Sequence, residues 1–252
     1  MIEHSIFEEL YSRQIMMNEI GESGQKKLAK ASVLVVGCGG LGSPALNYLT
    51  AMGIGHIGLC DSDVVTVTNL NRQILYTFDD LGKPKAAMAE MRLLALNPGL
   101  NTTVYNCGMS KDLAERIIPD YDIVLDCLDN FKTRYILNDA CVAACKPLVH
   151  AGVEAFRGQL MTITPGTGPC LRCLFPIESE KQEPDKPIGV VGPAPGVLGA
   201  LQALEALKYL LDLPVSNNGL VIFDGLNMCL EKVPLAASPD CICRSNCIKS
   251  QN

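Results

Sequence analysis

Residues 31–42 read ASVLVVGCGGLG, and no other stretch limits the fold of this chain so tightly. Residues 33–36 are an apolar, β-branched run, the pattern of a strand buried on both faces. The run ends in Gly37, Gly39 and Gly42, a match to G-x-G-x-x-G, with Gly40 as a further glycine. Residues 44–49 then read as a helix with Pro44 in its first turn, where a missing N–H costs nothing. Glycines let backbone come close to phosphates, and free N–H groups at a helix N-terminus face negative charge. A tight strand-to-helix turn with no ligand would use the same glycines. The flanking strand and helix favour a nucleotide cradle.

The 252 residues allow one large domain or two small ones. With 48% apolar and 19% charged residues the chain can bury a sizeable core. A net charge of −6 argues against a general nucleic-acid or membrane-surface binder. No apolar run reaches the roughly 18 residues that a membrane span requires. The first residues are polar and lack the apolar core of a signal peptide, so a cytoplasmic location is expected. In that setting the 12 cysteines point to metal binding or reduced thiols before disulfides.

Residues 6–20 carry apolar side chains at helical spacing, and Gly21 and Gly24 are expected to break that helix ahead of a second one over 25–31. Further strands are expected at 56–60, 102–106, 121–126 and 147–149, with helices at 86–96, 112–118 and 131–144 between them. This alternation is the doubly wound, Rossmann-like parallel pattern, with ligands at the carboxyl ends of the strands. The rhythm then changes. Residues 159–164 read as a strand with no crossover helix before it, so the sheet is expected to continue antiparallel. An acidic, Pro-bearing loop at 178–187, a long helix at 197–211 and a strand at 221–223 complete the outline.

Two constellations carry chemistry. Asp61 lies 19 residues beyond Gly42, where dinucleotide folds place a ribose-binding carboxylate. Arg72 and Lys85 supply positive charge for a polyphosphate. Lys85 opens a helix, which is electrostatically wrong unless an anion is present; a surface lysine is the plainer reading. Asp129, with Asp126 as a second candidate, suits Mg²⁺ held between carboxylate and phosphate oxygens. Two cations, an acid for a metal and a glycine turn fit ATP better than NAD. The three histidines, His4, His56 and His150, sit in no evident catalytic context, and His150 reads as a core or rim residue. In the second constellation Cys170 and Cys173 form C-x-x-C, and the tail offers Cys241, Cys243 and Cys247. Four thiolates in two clusters make a closed, structural Zn²⁺ site. A redox pair needs no distant partner, so the tail cysteines favour zinc. The remaining cysteines read mostly as small core residues.

Taken together these residues resemble the ThiF/MoeB/HesA family, bacterial relatives of ubiquitin-activating enzymes. The matching stretches are residues 11–15, 37–42, 61–63, 69–73, 83–85, 125–130, 158–160, 170–173 and 189–193, which run through essentially the whole chain. The resemblance implies a single adenylation domain over 1–252: N-terminal helices to 30, a nucleotide-binding half over 31–150, and a carrier- and zinc-binding half over 151–252. It implies MgATP-dependent adenylation of the C-terminal glycine of a small ubiquitin-like sulfur carrier, with release of pyrophosphate. Arg72, Lys85 and Asp129 would act on the triphosphate, Asp61 on ribose and Asn69 on phosphate positioning. Asp63, Gln73 and Asn130 join the nucleotide site by the same match. Arg13 would reach into the partner subunit of a homodimer. From the residues alone it is only a surface arginine.

Two departures qualify the resemblance. Many relatives carry a cysteine four residues before the Gly-Val motif; here that position is Asp185, so adenylation without a loop thiol is expected. The chain stops at Asn252, so a separate sulfur donor is expected. The second departure is the tail: the usual second C-x-x-C is Cys241-Ile242-Cys243. That favours Cys241 and Cys243 as ligands and leaves Cys247 open. A nicotinamide-dependent oxidoreductase, a nucleotide-binding scaffold and a tRNA- or peptide-modifying relative are the competing readings.

Overall fold

The computed structural model describes residues 4–176 and 189–243. The elements run α1 His4–Leu10, α2 Ser12–Ile15, α3 Gly21–Leu28, β1 Ser32–Val36, α4 Gly42–Ala51, β2 His56–Cys60, α5 Lys85–Leu96, β3 Asn101–Tyr105, α6 Lys111–Ile117, β4 Ile123–Asp126 and α7 Phe131–Ala143. They continue with β5 Leu148–Glu154, β6 Arg157–Ile163, α8 Leu171–Leu174, α9 Pro193–Leu210, β7 Gly219–Asp224 and β8 Cys229–Pro234.

All eight strands join one sheet in the order β3-β2-β1-β4-β5-β6-β7-β8. Pairings from β3 through β5 are parallel, and those from β5 to β8 are antiparallel. The expected mixed sheet is therefore present. Its strand order reverses between β1 and β4, the switch point beside which doubly wound folds bind ligands. In β1 the side chains alternate between two cores. Val33 and Val35 pack with α4, α5 and α9 residues, while Leu34 and Val36 pack with α6 and α7 residues. A strand buried on both faces has no polar side to show, which is why its sequence is a continuous apolar run. No helix among the described residues is long and apolar enough to cross a membrane.

Several boundaries move. The expected N-terminal helix is two short ones, parted at Tyr11. Tyr11 turns into the core, packs its ring on Phe7 and takes a hydrogen bond from Asn97 Nδ2 at 3.3 Å. Gly21 and Gly24 do not break a helix but sit inside α3. At Gly24 a Cβ would stand 3.0 Å from Leu211, so the glycine there serves close packing. Strand β5 runs five residues beyond its expected end because β6 pairs along its whole length. Strand β8 was not expected at all. Cys107 and Cys229 are exposed rather than core residues. The acidic loop at 178–187 lies outside the described residues.

The glycine turn is held from three sides. Gly37 has φ +96°, and a Cβ there would lie 2.4 Å from the Cys127 carbonyl oxygen. A Cβ on Gly42 would lie 2.0 Å from the Gly37 carbonyl oxygen, and one on Gly199 of α9 2.2 Å from the Leu41 carbonyl oxygen. Gly37→Ala combines a left-handed φ with a backbone clash, so it is expected to destabilise the fold by more than about 2 kcal/mol. Chemical denaturation would read this directly, and an unchanged midpoint would contradict it.

Candidate functional site

The carboxyl ends of β1, β2, β4 and β5 open onto a cleft of about 1910 Å³. Gly37, Gly39, Gly40, Asp61, Asp63, Arg72, Gln73, Lys85, Asp129 and Asn130 all line it. Gly42 begins α4 just behind the turn. Residues from distant parts of the sequence, expected to share a ligand, are thus brought together.

Asp61 closes β2 and clamps the glycine turn. Its carboxylate accepts from Cys38 N at 2.7 Å and from Asp63 N at 2.8 Å. Burial holds this carboxyl above the usual carboxylate range, against the pull of those two N–H groups and of Lys85. Lys85 is 5% exposed, so it is not the surface lysine of the plainer reading. Its Nζ pairs with Asp63 Oδ2 at 2.9 Å, and its own N–H donates to the Asp63 carbonyl. The anion that the helix start demanded is therefore supplied by the protein.

Arg72 sits above Gly40, its Cγ 3.6 Å from where a Cβ would be. Its Nη1 donates to the Thr68 carbonyl at 2.9 Å and to Asn71 Oδ1 at 3.0 Å, which pins the guanidinium at the rim. Gln73 is buried beside Gly39, and its Oε1 has no hydrogen-bond partner among the described residues. Asn69 does not line the cleft. Its Oδ1 accepts from Thr66 N at 3.2 Å and caps a 3₁₀ turn over Val67–Asn69, so it shapes the segment that carries Arg72. Arg13 is exposed on α2 and does not line the cleft either.

Asp129 is exposed at the cleft, and Asn130 beside it N-caps α7 by accepting from Thr133 N at 2.9 Å. Asp126 is different and, contrary to expectation, is not placed to hold Mg²⁺. It is 0% exposed, with Oδ2 2.6 Å from His150 Nδ1 and 3.7 Å from Arg134 Nε, while Oδ1 accepts from Leu128 N at 3.1 Å. A carboxylate so enclosed has no room for an ion. His150 is a core histidine, as read. Burial pushes its imidazole down from the ordinary value, while the hydrogen bond and charge of Asp126 pull the other way.

Sequence reasoning gives no site role to Arg134 or Gln202, and takes in Gln159 only within the matched stretch 158–160. Arg134 is 6% exposed and donates through Nη2 to the carbonyls of Leu128 and Ala151. Gln202 is buried on α9 and donates to the carbonyls of Asp126 and Val149 at 2.8 and 2.9 Å. For Arg134 the available signal is its spacing, four residues after the helix cap Asn130, which puts both on one face of α7.

Away from the cleft, Cys170, Cys173 and Cys241 bring their sulfurs within 4.8 Å of one another. Cys241 Sγ is 3.6 Å from Cys170 Sγ, and Ser238 N donates to Cys173 Sγ. A tetrahedral zinc site with Zn–S near 2.3 Å needs sulfur–sulfur edges of about 3.8 Å, so the donor set fits that ion. Cys243 is buried against Cys170 but falls outside the group of three. Cys247 lies outside the described residues. Contact with Cys243 lowers the Cys170 thiol against the opposing effect of burial, aided by the N–H groups of Arg172 and Cys173 and by the Cys241 thiol.

A family model described as ThiF family matches residues 11–245. The chain belongs to that family. It is 43% identical to the sulfur carrier protein adenylyltransferase of Thermus thermophilus, over 92% of this chain and 88% of the relative. It is 41% identical to the sulfur carrier protein ThiS adenylyltransferase of Escherichia coli, over 92% of each. Among solved structures, E. coli MccB with ATP superposes with a TM-score of 0.79 at 26% identity, covering 94% of this chain and 74% of that one.

The buried histidine sets a pH dependence. Its folded pKa lies below the unfolded value of about 6.5, so below that pH the unfolded chain binds more protons. Stability is expected to fall as pH drops from 7 to 5.5, and to fall less in His150→Gln. Denaturation midpoints at the two pH values would check this; equal slopes for both proteins would contradict it.

Proposed function

We propose that this protein uses MgATP to adenylate the C-terminal glycine carboxylate of a small ubiquitin-like sulfur-carrier protein, for sulfur transfer in cofactor biosynthesis. The observation that carries the reading is the meeting of Arg72, Lys85 and Asp129 around the glycine turn. The names of the two sulfur-carrier adenylyltransferases support it.

In the reaction a carboxylate oxygen of the carrier attacks the α-phosphorus. The bond from that phosphorus to the α,β-bridging oxygen breaks, and pyrophosphate leaves with the electron pair. Charge builds on the leaving group, so Lys85 and Arg72 stabilise the transition state more than bound ATP. Lys85 must exchange Asp63 for phosphate to do so. Asp129 would hold the Mg²⁺ that arrives with the triphosphate. Glycine-turn N–H groups face the phosphates, with Asp61 near ribose and Asp63, Gln73 and Asn130 completing the lining. Asn69 acts by shaping the Arg72 segment. Arg13 completes the site of a partner subunit in a homodimer.

Asp185, at the position where many members of the resembled family carry a thiol, favours adenylation alone, with sulfur supplied by a separate donor. Cys170, Cys173 and Cys241, with Cys243 as the fourth ligand, would hold a zinc ion that ties the tail to the body. Such a site contributes folding free energy and leaves no position open for chemistry.

Pyrophosphate exchange into ATP is expected only with a carrier ending in Gly-Gly, and Asp129→Ala is expected to lower it at least about 100-fold. Unchanged exchange in that variant would remove Asp129 from the site. Elemental analysis of reduced protein is expected to give about one zinc per chain, falling in Cys170→Ser; a metal-free wild-type protein would contradict the zinc site.

A further inference from the structure

Beside the phosphate cradle the cleft has a second polar feature, at Gly152. This residue lies on β5, the strand next to β4, whose end leads into Asp129. Gly152 is buried yet lines the cleft, and its register partner on β6 is Gln159, another lining residue. The point a Cβ would occupy at Gly152 is 3.3 Å from Gln159 Nε2 and 3.7 Å from Arg134 Nη1. Two NH₂ groups, one of them on a guanidinium, therefore converge on a hollow that exists because the residue is glycine.

Both donors are fixed from behind. Arg134 Nη2 is tied to the carbonyls of Leu128 and Ala151, and its Nε stands 3.7 Å from Asp126 Oδ2. Gln159 Nε2 is 3.4 Å from His150 Nε2, and the other ring nitrogen of His150 is bonded to Asp126. One buried carboxylate thus orients both donors. Each NH₂ has two hydrogens. Gln159 Nε2 places one on His150 and keeps the other. Arg134 Nη1 makes no hydrogen bond to the described residues, although the side chain is 6% exposed. A buried charge-assisted donor aimed into an open hollow, with an amide donor facing it, matches a planar carboxylate.

We propose that the Gly152 hollow, between Arg134 Nη1 and Gln159 Nε2, holds the C-terminal carboxylate of the carrier before it attacks ATP. This rests on the adenylation reading above and adds the place where the acyl substrate is held. One carboxylate oxygen sits on the two donors, and the other is left free to reach the α-phosphorus. Charge leaves that group as the acyl phosphate forms, so the contacts are strongest in the ground state. Their loss appears in carrier affinity and KM before kcat.

The test is binding to protein saturated with a non-hydrolysable ATP analogue, by calorimetry. The probe is a ubiquitin-like carrier protein ending in Gly-Gly, prepared as the free acid and as the C-terminal amide. Unaltered protein is expected to prefer the acid at least tenfold. Gly152→Ala, whose Cβ would fill the hollow at 3.3 Å from Gln159 Nε2 and 3.4 Å from Gln159 Cγ, and Gln159→Ala are expected to reduce that preference to under threefold. Both are expected to keep analogue affinity within twofold. Preference retained in both variants overturns the assignment. A fall in analogue affinity to match would give the hollow to a phosphate and overturn it too. Carrier-dependent exchange in the unaltered protein separates the two levels. Its absence overturns the adenylation reading and this assignment with it, whereas intact exchange with unchanged acid preference overturns the assignment alone.

Discussion

A single buried carboxylate joins the elements around the cleft floor. Asp126 contacts the imidazole of β5, the guanidinium of α7 and the N–H of Leu128 in the loop leading to Asp129. Its own carbonyl takes the Gln202 amide from α9. A buried charge is tolerated only when fully partnered, and removing one partner of such a group costs several kcal/mol. The network therefore fixes strand, helix and loop relative to one another. It does this around a carboxylate that is itself closed off from solvent, leaving Asp129 exposed three residues away.

The second constraint is steric. The turn after β1 is pressed between the Cys127 backbone and α4, with α9 packed over it through Gly199. Asp61 stitches the same turn to the end of β2. Backbone N–H groups at the mouth of α4 are thereby aimed before any ligand arrives, which is the condition for electrostatic preorganisation. The rigid cradle and the charged side chains come from separate parts of the chain. Arg72 lies within, and Lys85 at the end of, a long irregular segment between β2 and α5, shaped by 3₁₀ turns capped by Asn69 and Asp80.

Much of this was legible in the sequence because local signals agreed. The β-branched run of β1, the glycine spacing and the helix after it name one supersecondary unit, and its parallel repeats give the sheet. What stayed hidden was decided at long range. Asp126 and Asp129 look alike in sequence, and only the packing of His150 and Arg134 makes one buried and the other available. Every residue of β8 is exposed, so the strand carries no apolar face to announce it; it forms because β7 offers an unpaired edge. Tyr11 has the spacing of a continuous helix but is claimed by Asn97, 86 residues on. Cys107 and Cys229 sit in segments that look like core yet end at the surface.

The ion pair between Lys85 and Asp63 has a consequence for selectivity. A lone buried ammonium would make the empty cleft a trap for any small anion in the cell. Here the positive charge is already neutralised by a carboxylate on the neighbouring loop, so an arriving phosphate has to outcompete it. Orthophosphate brings few other contacts with which to win that exchange. In the proposed reaction a nucleotide would also engage the glycine turn and the rim arginine, and would meet the threshold through its remaining atoms. Asp63 would then act as a resident competitor that sets how large a ligand must be before the lysine lets go.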